Sequence, residues 1–201
     1  MEERRVESSV TLCGTLDGRP EYSHTNHNKR FYTFPLKVVR LSGIDDVLNI
    51  VCTEELLSEI EPDNSEMLKI TGELRSYNNK SGVGNKLVIF VYAHTLEFCN
   101  EEPQNNVWLC GTLCKRPNLR ATPLGREICD LLIAVNRPYG HSDYLPCICW
   151  GQNAHEAALW EVGDSLELDG RIQSRKYIKS NDGEEIKKTA FEVSATLIEK
   201  L

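Results

Sequence analysis

The chain repeats itself, and this repeat limits its possible folds more than any other feature. The run Leu-Cys-Gly-Thr-Leu at residues 12–16 returns unchanged at residues 109–113, an offset of 97. A second shared run aligns residues 70–77 with residues 168–175, at an offset of 98. Self-similarity at a nearly fixed spacing is typical of a duplicated structural unit. The sequence therefore predicts two successive domains of one fold that differ by small loop insertions.

Composition excludes several classes of protein. With 201 residues, of which 40% are hydrophobic, each half is long enough to bury its own core. We expect no secretory signal and no membrane span, because the first residues are charged and the apolar runs are short. The eight cysteines form no CxxC pair, which favours reduced, buried thiols in the cytoplasm over zinc ligands. We therefore expect no metal and no cofactor.

Each half is predicted to contain five strands, with a helix between the third and the fourth. Branched and aromatic residues between turn residues predict strands at 10–16, 30–39, 47–52, 68–77 and 87–96, and again at 107–113, 128–135, 144–150, 165–178 and 188–198. Helix formers occupy residues 54–60 and 153–161. This order is that of the OB-fold, a small Greek-key barrel. We predict an all-β protein with short helices, built as two tandem five-stranded OB-fold barrels at residues 1–99 and 107–201, with a linker at 100–106.

The fourth strand of the second half carries a row of basic, amide and aromatic side chains. Because strand side chains alternate between faces, one face presents Arg171, Gln173, Arg175, Tyr177 and Lys179. Cations can follow phosphates and rings can stack on unpaired bases, although basic residues also keep an exposed face soluble. Neighbouring strands and loops add Arg126, Arg137, Tyr139, Tyr144 and Trp150. Since the net charge is −7, a polyanion would have to bind to one such concentrated face.

These residues give the second half a resemblance to the bacterial single-stranded DNA-binding protein family. Residues 143–151 are similar to the family's run of an acidic residue, a DNA-stacking tryptophan, an apolar strand and Phe-Gly. Residues 162–177 resemble its glycine-containing fourth strand, which ends in arginine and an aromatic residue. The resemblance implies base-stacking positions for Tyr144, Trp150 and Tyr177, with Tyr139 as a fourth. The longer runs at residues 122–128 and 134–139 are typical of a two-barrel variant in Firmicutes-like bacteria.

The resemblance also implies a biological setting. We expect sequence-independent binding of single-stranded DNA in replication, recombination and repair, in the bacterial cytoplasm and in association with the nucleoid. A homodimer of two-barrel chains would supply the four barrels that the family otherwise assembles as tetramers. Since the sequence ends directly after its last predicted strand, we expect no acidic C-terminal tail for recruiting replication and repair proteins.

The two halves differ at the predicted binding positions. Where the second half has Tyr144, Trp150, Arg171 and Tyr177, the first has Val47, Thr53, Glu73 and Asn79. We therefore predict that the second barrel is the main DNA platform and that the first is chiefly architectural. A secondary path for DNA over the first half is predicted to follow Lys29, Arg30, Arg40, Arg75 and Tyr77.

The sequence gives less support to functions other than DNA binding. The run at residues 141–143 has the residue types of a hydrolytic triad, but adjacent loop residues cannot adopt its geometry. No glycine-rich phosphate loop opens a helix, so we do not expect an enzyme. Two alternatives stay open: a protein-interaction module of the primosome type, which OB-folds also form, and an RNA-binding protein, because stacking alone does not distinguish ribose from deoxyribose.

Overall fold

The computed structural model describes residues 7–40, 42–58, 60, 66–81, 84–181 and 184–201, and only the backbone of residues 139, 176–181 and 184–188. The chain forms two compact units. The N-terminal unit contains Ser8–Arg75 and Phe90–Val107, and the C-terminal unit contains Ser76–Ile89 and Trp108–Leu201 together with Glu7. No helix among the described residues is long and apolar enough to cross a bilayer.

The described residues of the first half form six strands and one short helix. They are β1 (Ser8–Leu16), β2 (Glu21–Asn26), β3 (Lys29–Val39), β4 (Asp45–Thr53), α1 (Glu54–Ser58), β5 (Met67–Asn78) and β6 (Leu87–Phe98). Hydrogen bonding orders the strands β2-β3-β4-β6-β5-β1, and β1 also pairs with β3. The pairs β1–β3, β1–β5, β2–β3 and β3–β4 are antiparallel, whereas β4–β6 is parallel.

The second half forms the same strands and helix in the same order, with an additional 3-10 turn. They are β7 (Gln104–Leu113), β8 (Asn118–Ala121), β9 (Glu127–Arg137), a 3-10 turn (Pro138–Gly140), β10 (His141–Trp150), α2 (Gly151–Ala157), β11 (Ser165–Asn181) and β12 (Glu184–Lys200). Their order is β8-β9-β10-β12-β11-β7, with an additional β7–β9 pair. This arrangement matches the first half strand for strand. The predicted all-β fold class with short helices is confirmed.

Two short strands, β2 and β8, were not predicted. Every residue in both strands is exposed, so neither has the apolar alternation by which strands are recognised in a sequence. A two-residue turn with positive φ at His27 and Asn28 joins β2 to β3, which is the geometry of a tight hairpin. Both strands therefore form by pairing with a long neighbour rather than by burying a face.

The core of each unit is formed by the inward-facing side chains of its strands. The largest fully buried side chains include Leu12, Leu36, Ile50 and Ile70 in the N-terminal unit, and Leu109, Leu113 and Ile133 in the C-terminal unit. All eight cysteines are free thiols and six are buried. Burial raises the pKa of Cys52 to about 11 and that of Cys149 to about 12. These thiols pack as small apolar side chains.

Four strand glycines occupy repeated positions because the backbone of a neighbouring strand leaves no room for a side chain. They are Gly14 and Gly111 in the first shared run and Gly72 and Gly170 in the second. A Cβ on each would meet the carbonyl oxygens of Lys37, Ala134, Tyr92 and Ser194, respectively, at under 3.0 Å. Backbone atoms cannot move aside as a flexible side chain can, so each pair of strands needs glycine here.

We expect Gly170→Ala to lower the free energy of unfolding by about 1–3 kcal/mol, because the added methyl group overpacks the β11–β12 pair. Urea unfolding followed by circular dichroism would measure the loss. Asp169→Ala is the matched control on the adjacent, exposed position, and should stay within about 0.5 kcal/mol of the parent chain. Equal stability of the two variants would contradict the proposed steric role of Gly170.

Candidate nucleic-acid interface

Strand register brings the described site residues onto one face of the C-terminal unit. Arg171 and Gln173 of β11 lie opposite Ser194 and Glu192 of β12. Ser194 in turn pairs with Ile148 of β10. Paired residues point to the same side of a sheet, and so do residues two apart on one strand. We call this side the C-terminal outer face; it comprises Tyr144, Ile148 and Trp150 of β10, Arg171, Gln173 and Arg175 of β11, and Glu192 and Ser194 of β12.

The opposite side of β11 is the core side, as predicted. Leu166, Leu168 and Ile172 are at most 2% exposed. The alternation continues through an irregularity between Asp169 and Gly170, where the β11–β12 register shifts by one residue. The rings and cations of the outer face therefore point away from the core.

Two aromatic side chains on this face differ in how much of the ring is exposed to solvent. Tyr144 is 46% exposed on β10. Trp150 is half-buried, and its indole Nε1 donates a hydrogen bond to Ser194 Oγ at 3.0 Å. Ser194 is itself buried, so this bond fixes the orientation of the indole. A ring held in this way can offer a stacking surface with little further loss of rotamer freedom.

Glu192 lies between the polar side chains of β11. Gln173 Nε2 donates to Glu192 Oε1 at 2.9 Å, and Arg175 Nε lies 3.9 Å from Glu192 Oε2. The Arg175 side chain is 55% exposed, so its ion pair with Glu192 is weak in water. A phosphate can therefore compete with this carboxylate for Arg175.

Arg120 of β8 is a cation on this face that the sequence analysis missed. Its Nε and Nη2 donate to the carboxylate of Asp130 at 2.5 and 2.9 Å, and Asp130 lies opposite Ile148 in the β9–β10 pair. Burial alone would raise the pKa of Asp130, but the hydrogen bonds and charge of Arg120 outweigh it and the pKa is lowered. The sequence showed Arg120 only as part of a polar loop, because β8 itself was not recognised.

Arg137 has a structural partner that the sequence did not reveal. Its Nε and Nη2 donate to the two carboxylate oxygens of Asp143, both at 2.5 Å. Asp143 is 1% exposed, and Nη2 also donates to the carbonyl oxygen of Ser76 at 3.0 Å. Because the guanidinium neutralises a buried carboxylate, we assign Arg137 a role in the fold rather than in phosphate binding.

The N-terminal unit contains the same ion pair at the aligned positions. Arg40 Nε and Nη2 donate to both carboxylate oxygens of Asp46 at 2.5 Å, and Asp46 is fully buried. These hydrogen bonds raise the pKa of Arg40. The presence of arginine in both halves thus has a structural explanation, and Arg40 is poorly placed for the predicted secondary DNA path.

We expect Asp143→Ala to lower the free energy of unfolding by about 3–5 kcal/mol, because it removes the carboxylate that neutralises Arg137 and leaves the buried backbone amide of Ser76 without its acceptor. Chemical unfolding measures this directly. Arg126→Ala, which removes an exposed cation from the turn before β9, is the control and should change stability little. A small loss for Asp143→Ala would show that the buried pair does not stabilise the unit.

The other predicted residues are spread more widely. Arg126 is exposed and its backbone amide donates to Thr122 Oγ1 at 3.0 Å. The side chains of Tyr139, Tyr177 and Lys179 lie outside the described residues, although the backbone places Tyr177 opposite Lys188 and Lys179 opposite Ile186. Their part in a binding site stays a prediction.

Only some of the residues predicted to form the secondary DNA path lie near one another. Lys29 and Arg30 lie at the start of β3, where they form ion pairs with Glu55 and Glu54 of α1, at 3.5 and 2.8 Å. Arg75 pairs with Glu73 at 2.9 Å. Tyr77 is 52% exposed and belongs to the other unit.

The described residues show no arrangement suited to metal binding or hydrolysis. No group of three His, Cys, Asp or Glu side chains among them could hold a metal ion. Within the run at residues 141–143, Ser142 Oγ donates to Asn136 Oδ1 at 3.0 Å, while Asp143 is paired with Arg137. What the site offers is therefore a surface of rings and cations.

Comparison with known proteins identifies the family. Residues 104–201 match the model of the "Single-strand binding protein family". Single-stranded DNA-binding protein B of Bacillus subtilis is 36% identical over 80 residues, which cover 36% of this chain and 71% of that protein. The chain belongs to the single-strand binding protein family. The resemblance noted in the sequence is thereby confirmed.

Other relatives in the family are longer than the matched region. Single-stranded DNA-binding protein 3 of Listeria innocua is 36% identical over 89 residues, covering 41% of this chain and 55% of that protein. The single-stranded DNA-binding protein of Halalkalibacterium halodurans is 35% identical over 89 residues, covering 41% of this chain and 52% of its own length. The chain thus spans about half the length of these curated relatives.

A solved structure within the family extends the likeness to both halves. The wild-type single-stranded DNA binding protein from Thermus aquaticus superposes with a TM-score of 0.78, covering 96% of this chain and 92% of that chain at 21% identity. At this identity the match shows the fold alone. The prediction of tandem OB-folds is confirmed over nearly the whole length.

Proposed function

We propose that this protein binds single-stranded DNA without sequence preference on the C-terminal outer face. The observation that carries the proposal is that Tyr144 and Trp150 share this face with Arg171, Gln173 and Arg175. Unpaired bases can stack on the two rings, and the phosphates of the same strand can pair with the arginine side chains. The relatives named above are all single-stranded DNA-binding proteins, which supports the same ligand here.

The chemistry of this face favours single strands over duplex. Stacked bases of a duplex are not available to Tyr144 or Trp150, whereas every base of a single strand can present a face. The side chains described here offer stacking and charge rather than a fixed set of donors and acceptors for base edges, so we expect little dependence on sequence.

We further propose the setting that the family suggests. The C-terminal unit is the main DNA platform, the chain acts in replication, recombination and repair in the bacterial cytoplasm and with the nucleoid, and two chains associate as a homodimer with four OB-folds. Replication and repair proteins are candidate partners. The family match and the two OB-fold units support this assignment.

Removing either ring should weaken binding. We expect Trp150→Ala and Tyr144→Ala each to cost about 1–3 kcal/mol of binding free energy for oligo-dT, with a similar loss for mixed sequences. Fluorescence anisotropy of a labelled oligonucleotide measures the affinity. Leu159→Ala is the control, since Leu159 is 82% exposed beyond α2 and should bind as the parent chain does.

The same titration tests the alternatives. Equal binding of single-stranded DNA and RNA would indicate a general single-strand binder, and absence of binding to any oligonucleotide would favour a protein-interaction module. Unchanged affinity in both ring variants would mean that DNA binds elsewhere on the protein.

Asp130 should weaken DNA binding by neutralising Arg120. We expect Asp130→Asn to raise affinity at low salt and to steepen the dependence of log K on log[salt] by about 0.7, as one more cation becomes available to a phosphate. Titrations at several salt concentrations measure the slope. The control is the double variant Asp130→Asn with Arg120→Ala, which should show neither the higher affinity nor the steeper salt dependence. An unchanged slope in the single variant would place Arg120 outside the DNA path.

A further inference from the structure

The N-terminal unit carries a row of rings on its own outer side. His24 of β2 stacks on Phe31 of β3 with centroids 4.8 Å apart and an interplanar angle of 9°. Phe31 lies 6.3 Å from Tyr92 of β6, and Tyr92 lies 5.5 Å from His94. The guanidinium carbon of Arg75, from β5, is 3.9 Å from the centroid of the Tyr92 ring. We call these five residues the N-terminal ring row.

A β-bulge builds one end of this row. Tyr22 pairs with Tyr32, but the register then shifts so that His24 pairs with Phe31. Adjacent residues of β3 point to opposite faces, so Tyr22 and His24 also lie on opposite faces of the β2–β3 hairpin. The bulge thereby directs His24 onto the same face as Phe31.

This face is the counterpart of the C-terminal outer face. In the parallel pair β4–β6, Val51 lies opposite Tyr92, just as Ile148 lies opposite Ser194 in the pair β10–β12. Tyr92 therefore stands where the C-terminal unit has Ser194, the partner of Trp150. The N-terminal unit has Thr53 in place of that tryptophan, but it supplies rings from the neighbouring strands instead.

The charges on the ring row are nearly balanced. Glu73 accepts hydrogen bonds from Arg75 at 2.9 Å and lies 3.4 Å from His94 Nε2. His24 and His94 are exposed, Tyr92 is half-buried and Phe31 is 8% exposed. Such a surface offers the exposed rings of His24 and His94 and the half-buried ring of Tyr92 with little net charge. It therefore suits the bases of a nucleic acid better than its phosphates.

We propose that the N-terminal ring row is a second stacking surface for unpaired bases, separate from the C-terminal outer face. The inference rests on the proposed DNA function and adds a site in the half that was expected to be chiefly architectural. Because its charges are balanced, this second site binds more weakly and with a shallower salt dependence than the first.

Short oligonucleotides on the full-length chain test the proposal. An oligo-dT of about 8 nucleotides falls within the length that a single OB-fold covers, so calorimetry should resolve a strong and a weak binding event per chain. All three tryptophans, Trp108, Trp150 and Trp160, lie in the C-terminal unit. Only the strong event should therefore quench tryptophan fluorescence.

Substitutions assign the two events. The variant combining His24→Ala with Tyr92→Ala should weaken the weak event by about 5- to 150-fold, the equivalent of about 1–3 kcal/mol for a stacked base, and leave the strong event unchanged. Tyr22→Ala removes an exposed ring from the opposite face of the same hairpin and should leave both events intact. Tyr92→Phe keeps a ring at this position and should retain the weak event, which separates stacking from a general loss of folding.

The possible outcomes separate this inference from the proposed function. If Trp150→Ala weakens the strong event while the His24 and Tyr92 variant matches the parent chain, the second surface is refuted and the DNA function stands. If the parent chain shows a single event per chain, the second surface is likewise refuted. If it binds no oligonucleotide at all, the proposed function itself fails.

Discussion

The alternation of side chains along a strand, combined with cross-strand register, governs the rest of this structure. Each strand can bury one set of residues and expose the other, and register decides which exposed residues meet. In the C-terminal unit, the pairing of Ser194 with Ile148 and Arg171 gathers rings and cations from three strands onto one face. A slip of one residue would turn the same side chains toward the core.

Duplication makes it possible to separate residues needed by the fold from residues that can vary. The buried aspartate and its arginine occur in both units with the same bidentate geometry, although the two outer faces carry different side chains. Removing the arginine leaves a buried carboxylate without its partner, which destabilises the fold strongly. The ring side chains lie on the outer faces instead, so they can change or occur on other strands without altering the inward-facing residues.

The sequence predicted much of the fold because repeats and apolar alternation are local signals. Leu168 and Ile172 lie in the core and Arg171 and Gln173 on the outer face, as the spacing of two along β11 requires. Partners brought together by folding were harder to find. Arg137 is six residues from Asp143, and nothing in that spacing indicates a buried ion pair rather than a phosphate contact.

The two strands that were not predicted account for two of the missed site residues. Arg120 and His24 lie on β8 and β2, whose wholly exposed sequences give no periodic signal. Alignment of the two halves also compared single positions, so it recorded the loss of the tryptophan at Thr53. It could not show that Phe31 and Tyr92, from other strands, place rings on the same outer face of the N-terminal unit.

The crowding at Gly14, Gly72, Gly111 and Gly170 bears on how such domains are found in other genomes. Binding side chains drift as a duplicated copy takes on a different task, but a site that excludes any Cβ stays closed to every other amino acid. Two glycines at the spacing of Gly14 and Gly72 should thus outlast the ligand-contacting residues. A search that gives these two glycines more weight should detect diverged copies of this barrel. Family models based on the DNA-contacting half do not detect such copies.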